Sequence, residues 1–188
     1  MKKLSDIEII DSVLRGNKND YALIVDRYKD KAFTLLKNML KNKMEAEEAL
    51  MDAFIKAFNS LSSFRKEARF STWFYRIVFN TGASILANKK RKIELEMSSV
   101  DELHNLKSTD AETYALSENL NGYIQATIEK LPVRYAIAIN LFYIDNLSLS
   151  EISEVMDISL VNAKTLLHRG RNLLRDLLIK HNYAEELL

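Results

Sequence analysis

One proline and four glycines are the only strong helix breakers in this chain of 188 residues. With so few of them, helix ends must be set mainly by polar caps. The chain is also rich in Leu, Ile, Ala, Lys and Glu, which favour helix. The expectation is an all-α protein. Its length allows one large domain or two small ones, and 47% apolar residues can supply a core for either.

The caps divide the chain. Ser5 and Glu8 form a capping box for a first helix that Gly16 can close. A second helix is expected from about Asp20 to Leu40, with Leu23, Ile24, Tyr28, Ala32, Leu35, Leu36 and Met39 at helical spacing. Asn42 with Glu45 opens a third, which runs to about Asn59 and turns Ala46, Ala49, Leu50, Ala53, Phe54, Ala57 and Phe58 to one side. Residues 61–71 read as a loop. Ser71 is expected to cap a fourth helix, starting near Thr72 and ending in Lys89-Lys-Arg-Lys92, with Trp73, Phe74, Ile77, Val78 and Ile85 as its buried stripe. A first domain thus covers 1–92. Residues 93–113 lose periodicity and read as a flexible linker. A second, four-helix unit fills 114–188. It has Pro132 at a helix start, a turn at Asp145-Asn146, a second capping box at Ser148 and Glu151, and a helix capped by Ser159.

Charge is segregated although the formal net charge is only +1. From Ser62 to Lys92 eight basic residues face one acid. From Ile93 to Asn119 seven acids face one lysine. From Ser159 to Lys180 five basic residues face one acid. Two basic blocks flanking an acidic strip suit nucleic acid as a partner. No cysteine is present, which excludes disulfides and cysteine-metal sites and fits a reducing cytoplasm. The N-terminus has no apolar stretch long enough for a signal peptide, and no apolar run approaches the ~20 residues of a membrane span.

The stretch Ser148 to Arg171 reads as helix, three-residue turn, helix, the device that lays a helix in the DNA major groove. Leu160, Ala163, Leu167, Leu174 and Leu178 form its inner stripe. Asn162, Lys164, Thr165, His168, Arg169 and Arg171 fall largely outside it. Lys and Arg neutralise phosphates, and Asn, Thr and Arg can read base edges. By periodicity alone an ordinary helical hairpin with a solvated basic face has the same pattern. Catalysis has little support: the three histidines lie apart, and no phosphate-binding glycine loop occurs. No metal or cofactor is expected.

Leu131-Pro-Val-Arg134, Leu147 to Met156 and Ala163-Lys-Thr-Leu-Leu-His-Arg-Gly-Arg171 together resemble region 4 of bacterial sigma factors, most closely the extracytoplasmic-function (ECF) group. Upstream, Glu45 to Phe58 resembles their region 2.2, and Phe64 to Asn80 resembles regions 2.3 and 2.4. The resemblance implies a promoter-recognition subunit that binds core RNA polymerase. It puts Ser159, Asn162, Lys164, Thr165, His168, Arg169 and Arg171 at or near the −35 duplex. It assigns Glu45, Glu48, Asp52 and Phe54 to the polymerase. Phe64, Arg65, Lys66, Arg69, Phe70 and Ser71, with Asn80 and the basic run Lys89, Lys90, Arg91 and Lys92, fall on the −10 side. Trp73, spaced with Ile77, fits the core better than a base platform. An anti-sigma partner is implied as well, and no membrane insertion.

Some positions depart from the pattern. Leu166 stands where arginine is common, which could exchange a phosphate contact for a thymine methyl. Asp157 replaces a turn glycine, Met51 a glutamine and Phe58 a tryptophan. Two rival readings stay open: a stand-alone regulator binding paired half-sites as a dimer, and a helical interaction module with no DNA role. The acidic linker is open in the same way, between a segment threading into polymerase and a solvated spacer.

Overall fold

The computed structural model describes residues 4–97 and 120–180. The expected start of the second unit near residue 114, and the linker from residue 98 on, lie outside the described residues. Eight α-helices and no strand occur among the described residues. The first half holds α1 (Asp6–Leu14), α2 (Tyr21–Leu40), α3 (Lys43–Asn59) and α4 (Phe70–Met97). The second holds α5 (Leu120–Glu129), α6 (Val133–Ile139), α7 (Leu149–Met156) and α8 (Leu160–Lys180).

The caps act as their residue types require. The Ser5 hydroxyl accepts from the Glu8 amide at 3.3 Å, and the Glu8 carboxylate accepts from the Ser5 amide at 2.7 Å. Gly16, at φ 111°, lets the chain leave α1 where a side chain would be strained. Asn42 accepts from the Glu45 amide at 3.2 Å and opens α3. Ile9, Ile10, Ile24, Leu35, Leu36 and Met39 meet α3 and α4 in the core. Gly82 allows α4 to lie close on α2, since a Cβ there would come within 2.9 Å of Met39 Cε.

Two boundaries differ from the sequence reading. Helix α4 begins at Phe70, so Ser71 lies inside it and caps nothing. It also runs past Lys92 to Met97. Glu94 and Glu96 stand four residues after Lys90 and Lys92, a spacing that supports continued helix.

Pro132 is the N-cap of α6. That helix ends in one π-helical turn, Asn140–Ile144, which the sequence reading did not anticipate. Asn146 takes the left-handed conformation at φ 55°, as the turn requires. At Ser148 the second capping box closes at 2.8 and 3.3 Å. Asp157 holds φ 52° in the turn between α7 and α8, and Ser159 accepts from the Asn162 amide at 3.2 Å. Ala163 and Leu167 of α8 are buried, but Leu160 is 44% exposed, not inward. Leu23 of α2 is likewise 43% exposed.

The halves are not independent in this structure. One core cluster runs from α1–α4 into Ile137, Leu141, Leu147, Ile152, Val155, Met156 and Ala163. A smaller cluster, around Ile128, Leu131, Ala136, Ile139 and Leu167, belongs to the second half alone. The seam between the halves also carries polar bonds. Lys31 Nζ donates to the Ile144 carbonyl at 2.6 Å, Lys37 pairs with Glu129 at 2.8 Å, and Lys41 donates to the Glu129 carbonyl. The buried side chains of Asn38, Ser71 and Asn140 find no hydrogen-bond partner among the described residues. Such groups cost about 1–3 kcal/mol each when left unpaired.

Candidate nucleic-acid and polymerase interface

Helix α8 presents its polar residues outward. Ser159, Asn162, Lys164, Thr165, His168, Arg169 and Arg171 are all exposed, while Ala163, Leu167 and Gly170 pack inward. Thr165 donates to the Val161 carbonyl at 2.9 Å, which leaves its oxygen able to accept. His168 Nε2 and Asn172 Nδ2 are 3.3 Å apart. The Arg171 guanidinium lies over the rings of Phe142 and Tyr143, 5.1 and 5.3 Å from their centroids. This stacking holds it in place while its N–H edges stay accessible. Val161, 71% exposed beside Leu160, adds an apolar contact at the helix start that the sequence reading missed. Leu166 instead packs partly buried against the core, so it is badly placed for the thymine methyl it was expected to meet.

The 61–71 segment and the start of α4 form an aromatic cluster. The Phe64 and Phe70 rings are 5.5 Å apart, and Trp73 lies 5.4 Å from Phe64 and 5.5 Å from Phe70. Phe64 and Phe70 are buried, and Trp73 is half-buried. Arg65, Lys66 and Arg69 are exposed around the cluster. Lys66 pairs with Asp11 at 2.5 Å and Arg69 with Glu151 at 3.6 Å. Ser71 is buried. Asn80 is exposed, ten residues further along the helix and so about 15 Å from Phe70. Asn80 is therefore set well apart from the cluster around Phe64 and Phe70. Lys89 and Lys90 are exposed at its far end. Arg91 and Lys92 continue the helical backbone.

On α3, Glu48 and Asp52 are exposed, and Asp52 pairs with Lys56 at 2.7 Å. Glu45 pairs with Lys89 at 2.5 Å, which joins this helix to the basic end of α4. Phe54 is buried, 4.9 Å from the Phe74 ring, so it supports the helix from beneath and is not part of its surface. Met44, Met51 and Ile55 are 72, 61 and 60% exposed. They share a face with Glu48 and Asp52 by helical spacing. That spacing is visible in the sequence, but a search for the inward stripe passes over it.

Where the halves meet, Tyr75 of α4 donates to the carboxylate of Asp145, and Thr72 donates to Glu151 at 2.8 Å. Burial pushes the Asp145 carboxyl up to about 6, although the Tyr75 hydrogen bond and the Lys31 charge oppose the rise. Burial works upward on Glu151 too. There, hydrogen bonds from the Ser148 amide and hydroxyl and from Thr72, with the Arg69 charge, outweigh it and hold the carboxyl below its ordinary value. No group of three or more histidines and carboxylates among the described residues is arranged to hold a metal ion. No described helix is long and apolar enough to cross a membrane.

Comparison with known proteins matches residues 24–92 to the Sigma-70 region 2 family and 121–174 to the Sigma-70 region 4 family. The chain is 39% identical over 173 residues to the ECF RNA polymerase sigma factor SigW of Bacillus subtilis (strain 168), covering 88% of this chain and 92% of that protein. It is 31% identical over 177 residues to the ECF RNA polymerase sigma-E factor of Escherichia coli (strain K12), covering 90% and 92%. Its fold is similar to that of the sigma factor RpoE solved with the anti-sigma factor NepR from Bartonella quintana, with TM-score 0.66, 18% identity, and coverage of 85% of this chain and 96% of that one. It is also similar to CnrH solved with the cytosolic domain of CnrY, with TM-score 0.62, 20% identity, and coverage of 92% and 96%. The chain belongs to the ECF RNA polymerase sigma factors.

Proposed function

We propose a division of labour for this initiation factor, which is not an enzyme but directs core RNA polymerase to promoter DNA. Helix α8 reads the −35 duplex. The segment 64–71 and the start of α4 capture and hold the opened −10 strand. The outer face of α3 docks on the polymerase. On α8, Lys164 and Arg169 supply phosphate contacts, Asn162 and Thr165 face base edges, and Val161 suits a thymine methyl. Opening the duplex costs a few kcal/mol, and stacking of an extruded base on an aromatic side chain can return ~1–3 kcal/mol. Phe64 and Phe70 are the aromatic groups for that step. The domain division 1–92, 93–113 and 114–188 fits this scheme once the first domain is extended to Met97, the end of α4, with the rest of the acidic strip as tether. Tethering makes the second DNA contact intramolecular and strengthens binding without new contacts.

The observation that carries this reading is the outward, largely polar and basic face of α8, all seven candidate residues being exposed on it. We extend to this chain an anti-sigma partner, as NepR is for the sigma factor RpoE. Its place of action is the bacterial cytoplasm, where polymerase works. Run-off transcription with purified core polymerase tests the reading: new, discrete start sites appear on genomic templates when the chain is added. Core polymerase that gains no start site would refute it.

A further inference from the structure

We propose that Phe142 and Tyr143 are positioning residues for promoter binding: their rings hold the Arg171 guanidinium in advance at the outer face of α8, ready for one backbone phosphate beyond the base-reading turns of the helix. The inference rests on the reading of α8 above and deepens it, adding two residues that act on DNA only through Arg171.

Three local features build this corner. Gly170 faces α6, where a Cβ would come within 3.2 Å of Ile139 Cγ1 and 3.4 Å of Tyr135 Cβ. A side chain there would push α8 outward, so Gly170 keeps Arg171 against the end of α6. The chain does not continue from that end as regular helix. It widens into the π turn Asn140–Ile144, a local change that recurs at functional sites. Phe142 and Tyr143 lie within the turn, and their rings meet edge-on, 5.0 Å apart at 76°. The Arg171 guanidinium sits 5.1 Å from one centroid and 5.3 Å from the other. One cation thus faces two rings at once, which restricts its side chain more than a single ring does.

The corner is open to solvent. Tyr143 is 53% exposed, and Arg171 is exposed. No carboxylate pairs with Arg171 among the described residues. Ring faces attract the cation without occupying its N–H donors, whereas a carboxylate would occupy them and cancel the charge. The guanidinium is held in place yet left un-neutralised, which suits a phosphate.

Its place along α8 decides what it meets. Lys164, His168 and Arg171 follow one another at helical spacing on the same face. Arg171 stands eleven residues beyond Leu160, the first of α8, roughly 16 Å along the axis. Base-reading positions of such helices lie near the N-terminus. Arg171 is therefore a phosphate contact, with no part in choosing sequence.

Filter binding of holoenzyme to promoters mapped by the run-off assay, across a salt series, tests the proposal. Tyr143→Leu removes the ring on the exposed side of the corner. Arg171 must then be ordered on binding, so affinity should fall about three- to tenfold. The salt slope should stay, since the charge still reaches its phosphate. Tyr143→Phe keeps the ring and should restore wild-type affinity. Arg171→Ala should instead flatten the slope by about 0.9, and adding Tyr143→Leu to it should weaken binding no further. Nitrogen relaxation of the guanidinium groups in the free chain reads the same idea without DNA: Arg171 should be ordered and exposed Arg169 mobile, and Tyr143→Leu should make the two alike. A Tyr143→Leu holoenzyme that binds like wild type overturns the proposal. So does an equal loss from Tyr143→Leu in the Arg171→Ala background, or a wild-type Arg171 as mobile as Arg169. Should Tyr143→Leu unfold, the wild-type relaxation decides alone. If Arg171→Ala leaves binding intact while Lys164→Ala with Arg169→Ala weakens it, only the aromatic corner falls. If neither change weakens binding, the reading of α8 itself fails.

Discussion

Tyr75 donates its phenolic hydrogen to the carboxylate of Asp145, 70 residues further along the chain and in the other half of the molecule. Both side chains are buried, and burial drives the ionisation of both upward. This bond ties α4 to the turn before α7, so its protonation state bears on how the halves pack.

Packing of the two halves should depend on pH through Asp145. Its carboxyl is raised from 3.8 to about 6 where the halves meet, so the packed arrangement favours the protonated form. The advantage is full below pH 4 and is lost as pH rises through 6. Tyr75 and Lys31 are the groups that face Asp145. Glu151, held below its ordinary value, stays ionised across pH 5–7 and does not compete. From pH 7 to pH 5 the wild type should therefore gain stability relative to Asp145→Asn, whose side chain carries no charge for burial to oppose, and calorimetry at the two pH values reads this as a shift in the Tm difference.

Removing charge from α8 should weaken promoter binding without unfolding the protein. Lys164 and Arg169 are exposed, so replacing both with Ala should change stability by no more than about 0.5 kcal/mol. Loss of two phosphate contacts should flatten the slope of log affinity against log salt by about 1.8. Filter binding of holoenzyme to promoter DNA across a salt series measures it.

The outer face of α3 should matter to polymerase and little to folding. Met51→Ala with Ile55→Ala alters two side chains that are mostly exposed. Competition against the wild-type chain for core polymerase should show about tenfold weaker binding, the size expected for apolar contacts at a docking surface. Thermal unfolding should be nearly unchanged.

Ser148→Ala should destabilise the second half through its cap. The change deletes one arm of the capping box and should cost about 1 kcal/mol. For a protein of this size that lowers Tm by about 2–4 °C, measurable by calorimetry. Because Ser148 also holds Glu151 in place, the seam should loosen too.

Much of this was legible in the residues. Ser5, Asn42, Ser148 and Ser159 mark helix starts because their oxygens accept from the third amide onward, a local rule that tertiary packing does not disturb. The outward face of α8 follows from Ala163 and Leu167 fixing the inward one. Helix α4 was legible only in part. An amphipathic pattern assumes one buried face, whereas α4 is buried on two sides, by the first half at Phe74 and Val78 and by the second at Thr72 and Tyr75. Polar Thr72 and a tyrosine do not announce burial, so the seam could not be read before the fold brought residues 72 and 151 together. The π turn was hidden because Asn140–Ile144 keeps a helical composition, and only the structure shows the Ile144 carbonyl accepting from Lys31 of α2. Phe54 was read both as core and as polymerase contact; it is buried, whereas Glu48, Asp52, Met44, Met51 and Ile55 are exposed.

Permanganate reactivity of promoter thymines tests the central claim most directly, because it reports base pairs as they open. With the chain and core polymerase together, thymines of the −10 element should become reactive on a promoter that neither component opens alone, and Lys164→Ala with Arg169→Ala should reduce that signal at physiological salt. Thymines that stay unreactive in the complete mixture, or that react equally with core polymerase alone, would contradict the account.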